Sequence, residues 1–112
     1  MGREKEMILR GGQNIFPREI EDVLLTHPKV QDVAVIGLPD PVMGERACAC
    51  VVPKQGQKPT LEEIVSFLRE KGIGVHKLPE RLELMTSLPM IADGQKVDKR
   101  LLVKKILEKE AS

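Results

Sequence analysis

The first regular pattern of apolar positions lies just after Pro17 and predicts an amphipathic helix. Ile20, Val23 and Leu24 recur at the spacing that places side chains on one face of an α-helix, and Pro17 suits the first helical position. The pattern stops at His27-Pro28, so the helix should end there. His27 would then lie at the helix end, where the helix dipole favours a protonated imidazole.

Two apolar runs without helical spacing follow and predict two strands. The first covers residues 30–38, the second covers residues 47–52, and prolines close both runs. Short apolar runs bounded by turn residues are typical of buried strands, and we expect these two to pair. Cys48 and Cys50 would share one face of the second strand without reaching disulfide geometry. Both are therefore expected to be buried, reduced thiols.

Thr60 begins a second helical pattern, because Glu63 follows three residues later as a capping box requires. The apolar stripe of this predicted helix is formed by Leu61, Ile64, Val65 and Leu68. Gly72 should end the helix, since glycine readily adopts the left-handed conformation that follows a last helical turn.

The remaining pattern predicts a short strand over residues 78–84, a turn over residues 89–94 and a last helix over residues 98–110 that buries Leu102 and Ile106. The paired acids in first helical turns are expected to complement the helix dipoles: Glu19 with Glu21, and Glu62 with Glu63.

This order of elements, opened by a hairpin-like segment, indicates an α+β fold with about three helices packed on a small, mostly antiparallel sheet. The chain has 112 residues, of which 41% are hydrophobic, so we expect a single domain over residues 1–112 with one modest core. It carries no Trp or Tyr and a net charge of +1. This composition argues against an autonomous nucleic-acid reader, which needs stacking rings or a basic field.

Several classes of site and location are disfavoured by the sequence. His27 and His76 have no Cys, Asp or second His at ligand spacing, so no metal site is predicted. No run of 18 apolar residues is present, and the charged start lacks the apolar stretch of a secretory signal. We therefore expect no membrane span and a cytoplasmic location.

Two blocks near the ends of the chain carry a family resemblance. The opening block is Gly2-Arg3-Glu4-Lys5-Glu6-Met7-Ile8 running into Gly11-Gly12 and Gln13-Asn14-Ile15-Phe16-Pro17-Arg18-Glu19-Ile20-Glu21. The closing block is Leu88-Pro89-Met90-Ile91-Ala92-Asp93-Gly94-Gln95-Lys96-Val97-Asp98-Lys99-Arg100-Leu101-Leu102. Together they resemble the small C-terminal domain of adenylate-forming enzymes, which include acyl-CoA synthetases, aryl-acid ligases and luciferases. Because Met1 falls at the opening motif, we expect a domain severed from its large partner or made separately.

The resemblance implies a mobile lid of an ATP-dependent carboxylic acid:CoA ligase. Lys96 would be the catalytic lysine of adenylation, where a flexible ammonium can follow the charge that develops on phosphate. Arg3 would approach the nucleotide, and Lys5 would be the hinge about which the domain turns between the two half-reactions. Gly11 and Gly12 would face the pantetheine of CoA, where a side chain would block the tunnel.

One departure from the family pattern leaves two alignments open. The family usually places its lysine directly after the glycine, whereas Gln95 lies between Gly94 and Lys96. If the loop absorbs one extra residue, Lys96 remains the catalytic lysine; if it does not, Gln95 occupies the position and adenylation would be weakened. The continuation Val97-Asp98-Lys99 favours the first alignment. Without the family pattern, Lys96 would be interpreted as a solvated lysine and the glycine pair as an ordinary turn.

The implied cofactors are ATP, CoA and Mg in the complete enzyme, with none expected on this domain alone. The implied partners are the large N-terminal adenylation domain and either CoA or the pantetheine of a carrier protein, and the chain alone should be inactive. A second hypothesis is a stand-alone α+β interaction module without chemistry. The basic last helix could meet CoA phosphates or an acidic carrier protein, but a solvated face is favoured: Lys99, Arg100, Lys104, Lys105 and Lys109.

Overall fold

Two long antiparallel strands, β3 (Val30–Asp40) and β4 (Gly44–Pro53), form the centre of the computed structural model, which describes residues 7–42, 44–91 and 96–111. Their register pairs Ala34 with Cys50 and Val35 with Ala49. The predicted pair of strands is confirmed, but both strands extend into flanking polar residues. Backbone pairing continues there although the side chains are no longer buried, so the apolar pattern could not mark the true ends.

Three shorter strands complete the main sheet: β1 (Ile8–Arg10), β2 (Gln13–Ile15) and β5 (Arg81–Leu84). The β1–β2 hairpin joins β4 through the pairing of Arg10 with Gly44, and β5 runs parallel to β4. The strand expected over residues 78–84 is therefore shorter than predicted. A 3₁₀ turn, Val75–Lys77, and Pro79 precede it, and the first backbone bond to β4 is donated by Glu80 to Ala47.

Helices cover both faces of the β3–β4 pair. On one face, α1 (Pro17–Leu24) and α2 (Leu61–Glu70) bury their apolar stripes in a cluster with alternate strand residues such as Val35 and Ala49. On the other face, α3 (Lys99–Ala111) buries Leu102 and Ile106 in a second cluster. The described residues thus form an α+β fold with three α-helices and a mostly antiparallel sheet, as the sequence predicts.

The ends of α2 follow the local signals of the sequence. The Thr60 hydroxyl oxygen accepts from the Glu63 backbone N–H at 3.1 Å, and the Glu63 carboxylate accepts from the Thr60 N–H at 2.9 Å. After the helix, Gly72 has a φ of +90°. Both the capping box and the glycine stop are therefore confirmed.

The region before α3 differs from the expected turn. Met90–Ile91 (β6) pairs antiparallel with Lys96–Val97 (β7), and residues 92–95 between them lie outside the described ranges. Strands of two residues carry too short an alternation to be predicted from sequence. Asp98 is the cap of α3 and not its first residue, because its carboxylate accepts from the Leu101 N–H at 3.1 Å.

The two cysteines are buried free thiols opposite Ile36 and Ala34 on the α3 side of the sheet, as predicted. The hydrogen bond with Cys48, together with burial, raises the pKa of the Cys50 thiol far above its usual range. Both groups therefore serve as small apolar residues in the core. Among the described residues, no helix is long and apolar enough to cross a membrane.

Replacing the cap of α2 should weaken the fold by a measurable amount. We expect Thr60→Ala to lower the free energy of unfolding by about 1 kcal/mol, because the Glu63 N–H loses its acceptor. Urea denaturation followed by circular dichroism measures the change. Ser66→Ala removes a hydroxyl from an exposed position of the same helix and is the matched control. Equal stability of Thr60→Ala and wild type would contradict a stabilising capping box.

Candidate functional site

The glycine pair forms the turn of the β1–β2 hairpin. Gly11 and Gly12 have φ angles of +56° and +84°, the pattern of a two-residue hairpin turn that side chains disfavour. A Cβ built on Gly12 would meet no atom within 4 Å. The backbone conformation therefore requires glycine here, while the space beside the turn is open. An ion pair between Arg10 and Glu80 ties the turn to the rest of the sheet.

Apolar side chains are exposed along the β1–β2 hairpin, from its middle to the end opposite the turn. Met7, Leu9 and Phe16 are 44%, 51% and 41% exposed. Met7 and Leu9 are two positions apart along an extended segment, so they lie on the same side of it. Large exposed apolar side chains beside one another mark a surface suited to contact with another protein surface or an apolar ligand.

Lys96 lies on the return strand of the β6–β7 hairpin. Its backbone pairs with Ile91, and Val97 pairs with Met90 while packing against the core cluster beneath α3. The backbone N–H of Asp98 donates to the Pro89 oxygen at 2.7 Å. Since Asp98 also caps α3, the hairpin stem and the start of that helix are joined at one residue.

A partly buried carboxylate lies close to the same helix start. The Oε2 atom of Glu21 accepts from the Val35 backbone N–H at 2.8 Å and from Lys99 Nζ at 2.7 Å. The Glu21 and Lys99 side chains are only 19% and 21% exposed. A charge-assisted bond at low exposure is stronger than a surface ion pair. One oxygen atom therefore joins α1, β3 and α3.

The predicted site residues fall into separate places. Gly11 and Gly12 belong to the main sheet, whereas Lys96 belongs to the two-stranded sheet next to α3. Arg3, Lys5 and Gln95 lie outside the described residues. Within the described ranges, no group of three His, Cys, Asp or Glu side chains is arranged to hold a metal ion.

Known proteins resemble this chain over most of its length. A profile of the AMP-binding enzyme C-terminal domain matches residues 19–95. The human medium-chain acyl-CoA ligase ACSF2, a mitochondrial protein, is 46% identical over 95 residues, covering 85% of this chain and 15% of the relative. The 2,3-dihydroxybenzoate-AMP ligase of Bacillus subtilis is 41% identical over 108 residues, covering 96% and 20%.

A solved structure matches in three dimensions as well. The apo structure of MbtA from Mycobacterium smegmatis superposes with a TM-score of 0.87 at 41% sequence identity, over 94% of this chain and 20% of that chain. This chain belongs to the AMP-binding enzyme C-terminal domain family. It spans about 15–20% of the length of the relatives it matches.

Within this AMP-binding C-terminal domain, Glu21 was missed by the sequence analysis. The sequence predicts only that it complements the helix dipole, but its carboxylate points to β3 and α3. Its position carried a signal, because Glu21 lies four residues after Pro17 and three before Leu24, both buried. By contrast, its neighbour Glu19 forms an ion pair with Lys77 at 3.0 Å.

The basic last helix of the domain is only partly solvated. Lys99 and Lys109 form ion pairs with Glu21 and Glu83, whereas Arg100, Lys104 and Lys105 are exposed. Burial raises the pKa of the Glu83 carboxyl, but the hydrogen bonds from Lys109 and Arg81 outweigh it and hold that pKa below its usual range. Glu83 therefore stays charged and ties α3 to β5.

The expectation of a protonated His27 is wrong. Its ring is buried, contacts Phe67 at a centroid distance of 4.6 Å, and accepts the Lys29 backbone N–H at Nδ1. Burial lowers the pKa of His27, and the opposing charge of Glu63 does not reverse this. Desolvation and the accepted hydrogen bond favour the neutral ring over the effect of the helix dipole.

This neutral histidine predicts a pH dependence of stability. The unfolded chain binds a proton at His27 below about pH 6.5, while the folded domain resists it, so stability should fall as pH drops through that value. We expect His27→Gln to reduce this slope of the free energy of unfolding, measured by urea denaturation across the range. His76→Gln alters an exposed histidine and is the control. An unchanged slope in His27→Gln would show that other groups cause the dependence.

Proposed function

We propose that this chain is the mobile C-terminal domain of an ATP-dependent carboxylic acid:CoA ligase and supplies the adenylation lysine, Lys96. The observation that carries the proposal is the placement of the Lys96 backbone on a short hairpin whose stem is bonded to the start of α3. Such a stem fixes the backbone of Lys96 relative to the start of α3. The ligase names of the relatives support the reaction class.

In this proposal, the first half-reaction depends on stabilising the negative charge that develops on the phosphate oxygens. A carboxylate oxygen of the substrate attacks the α-phosphorus of ATP, the bond to the bridging oxygen breaks, and pyrophosphate leaves with the electron pair. Negative charge grows on the oxygens around phosphorus. The Lys96 ammonium, presented by the hairpin, would stabilise that charge, and Arg3 would contact the nucleotide. Mg²⁺ is included in the proposal only as a cofactor of the complete enzyme, together with ATP and CoA.

The second half-reaction would use the other site on the domain. Rotation about Lys5 would remove the lysine hairpin and bring the Gly11-Gly12 turn to the pantetheine thiol, which attacks the acyl carbon and releases AMP. The open space beside Gly12 suits the close passage of a narrow chain. The two sites lie on different sheets, so one rigid domain can present either of them.

The substrate proposed is a medium-chain fatty acid or an aryl acid, and the acceptor is CoA or the pantetheine of a carrier protein. The named relatives include a medium-chain acyl-CoA ligase and a 2,3-dihydroxybenzoate-AMP ligase. The acid pocket would belong to a large N-terminal adenylation domain, and we propose a cytoplasmic location for the assembled enzyme. By itself, this chain should not turn over substrate.

Lys96→Ala should stop the first half-reaction selectively. With the large domain supplied, we expect ATP–pyrophosphate exchange to fall by about 100-fold or more, because a donor aimed at developing charge is lost. Thioester formation from supplied acyl-adenylate should be unchanged. The exchange assay and a thiol-release assay measure the two steps, and Lys58→Ala, in an exposed loop, is the matched lysine control.

Substitutions at Gln95 separate the two alignments. If Lys96 is the catalytic lysine, Gln95→Ala should leave exchange within about twofold of wild type, since no charged donor is removed. If Gln95 occupies the lysine position instead, Lys96→Ala should have little effect and Gln95→Lys should raise exchange. Exchange that responds to neither residue would support the non-catalytic interaction module.

Lys5→Pro should produce the reverse pattern. Proline fixes φ and would stiffen the proposed hinge, so we expect adenylation to continue while thioester formation from supplied acyl-adenylate is lost. The same two assays apply, with Lys5→Ala as the control for loss of the side chain alone. Equal loss of both steps in Lys5→Pro and Lys96→Ala would defeat the division of labour between the two sites.

A further inference from the structure

We propose that Glu21 is a positioning residue for Lys96, acting through Lys99 and the start of α3. This inference rests on the proposed function, because it concerns the lysine of the adenylation step. Glu21 itself is on α1, in a different part of the fold from the β6–β7 hairpin. Three hydrogen bonds connect Glu21 to the hairpin: one anchors the carboxylate on β3, one joins it to Lys99, and one joins Asp98 to Pro89.

The first two bonds meet at one atom. Glu21 Oε2 accepts from the Val35 N–H at 2.8 Å, which fixes the carboxylate against the outer edge of β3, the long strand paired with β4. The same oxygen accepts from Lys99 Nζ at 2.7 Å. Because the Val35 N–H belongs to a strand buried on both faces, the carboxylate is a rigid reference point for the lysine.

The third bond transmits that position to the hairpin. Lys99 is the first residue of α3 and follows Asp98, whose N–H donates to the Pro89 oxygen at 2.7 Å. Two residues before Asp98, the backbone of Lys96 pairs with Ile91. A shift of Lys99 along the sheet would therefore move both strands of the hairpin stem.

The N-terminal end of α3 lies beside an open pocket, although its first turn packs on the core through Leu102. A cavity of about 250 Å³ separates it from the β1 strand and the start of α1, and Lys99, Arg100 and Val103 line its helix side. The buried residues Leu102, at the end of the first turn, and Ile106, one turn later, point to the second cluster and away from this pocket. The ion pair to Glu21 thus holds the Lys99 end of the helix, which borders the pocket, while Leu102 anchors the rest of the turn.

The effect should be confined to one half-reaction. The Gly11-Gly12 turn is tied to the sheet by β1–β4 pairing and by the Arg10–Glu80 ion pair, neither of which involves α3. Loss of the Glu21–Lys99 contact would therefore displace the lysine hairpin and leave the glycine turn in place. A general loss of stability would instead reduce both steps together.

Glu21→Gln is the sharpest variant, since its amide oxygen can still accept from Val35 while the charge that holds Lys99 is removed. We expect ATP–pyrophosphate exchange to fall by about tenfold, because a misplacement of about 1 Å can cost up to about 100-fold. Thioester formation should stay within about twofold of wild type. Lys99→Met should lower ATP–pyrophosphate exchange as much as Glu21→Gln does. Lys99→Arg, which keeps the positive charge, should retain most of that activity.

Glu19→Gln is the matched control, because it breaks a comparable ion pair, to Lys77, from the same helix. A second readout needs no substrate and uses this chain alone. In Glu21→Gln the Asp98 amide hydrogen should exchange with solvent about threefold faster or more, while the Glu80 amide, bonded to Ala47, should not change.

The outcomes distinguish this inference from the proposed function. If Lys96→Ala abolishes ATP–pyrophosphate exchange but Glu21→Gln has the same activity as Glu19→Gln, Glu21 does not position Lys96. The assignment of Lys96 as the adenylation lysine then stands. If Glu21→Gln lowers both half-reactions equally, Glu21 is merely structural and the inference also fails. If Lys96→Ala leaves ATP–pyrophosphate exchange intact, the proposed function fails. Faster hydrogen exchange of the Asp98 amide in Glu21→Gln would then show only that the Glu21–Lys99 contact holds the hairpin.

Discussion

Burial of both faces of the β3–β4 pair is the constraint on which the rest of the structure depends. Alternate residues of these strands point into two separate apolar clusters, so helices must cover each face: α1 and α2 on one side, α3 on the other. The position of α3 in turn places the β6–β7 hairpin. Asp98, which caps α3, donates its backbone N–H to Pro89 at the base of that hairpin. The glycine turn remains with the main sheet. The glycine turn and the Lys96 hairpin therefore lie on different sheets of the described fold.

The same constraint explains why a charged residue occupies the interior side of α1. The outer edge of β3 would offer N–H groups to any passing strand, yet Asp32 accepts from Val33, Glu21 accepts from Val35, and Pro39 has no N–H to offer. Side-chain acceptors thus satisfy donors that a longer sheet would have paired. Glu21 satisfies one of these edge donors and also accepts from Lys99, so one carboxylate stabilises both β3 and the last helix.

Much of the fold could be predicted from the sequence because its signals are local. The Thr60–Glu63 capping box, the glycine after α2 and the two buried apolar runs each depend on neighbours a few residues away. The failures involve distant partners. Nothing near His27 shows that Phe67 will cover its ring, and nothing near Glu21 shows that Lys99 will reach it. The motif residues Gly11, Gly12 and Lys96 were found by resemblance, whereas the contacts that hold them depend on tertiary structure.

The hairpin register bears on the extra residue at position 95. Pairing of Met90 with Val97, together with the Asp98 bond to Pro89, fixes the stem from its α3 end. A residue added between the two strands lengthens their connection but need not shift a stem that is anchored at its base, since lengthening a connecting segment costs little free energy. The stem would then carry Lys96 at a constant distance from α3 whatever the loop length. Within the proposed function, the register therefore favours Lys96 over Gln95 as the adenylation residue, because the position of Lys96 is measured from the helix and not from Gly94.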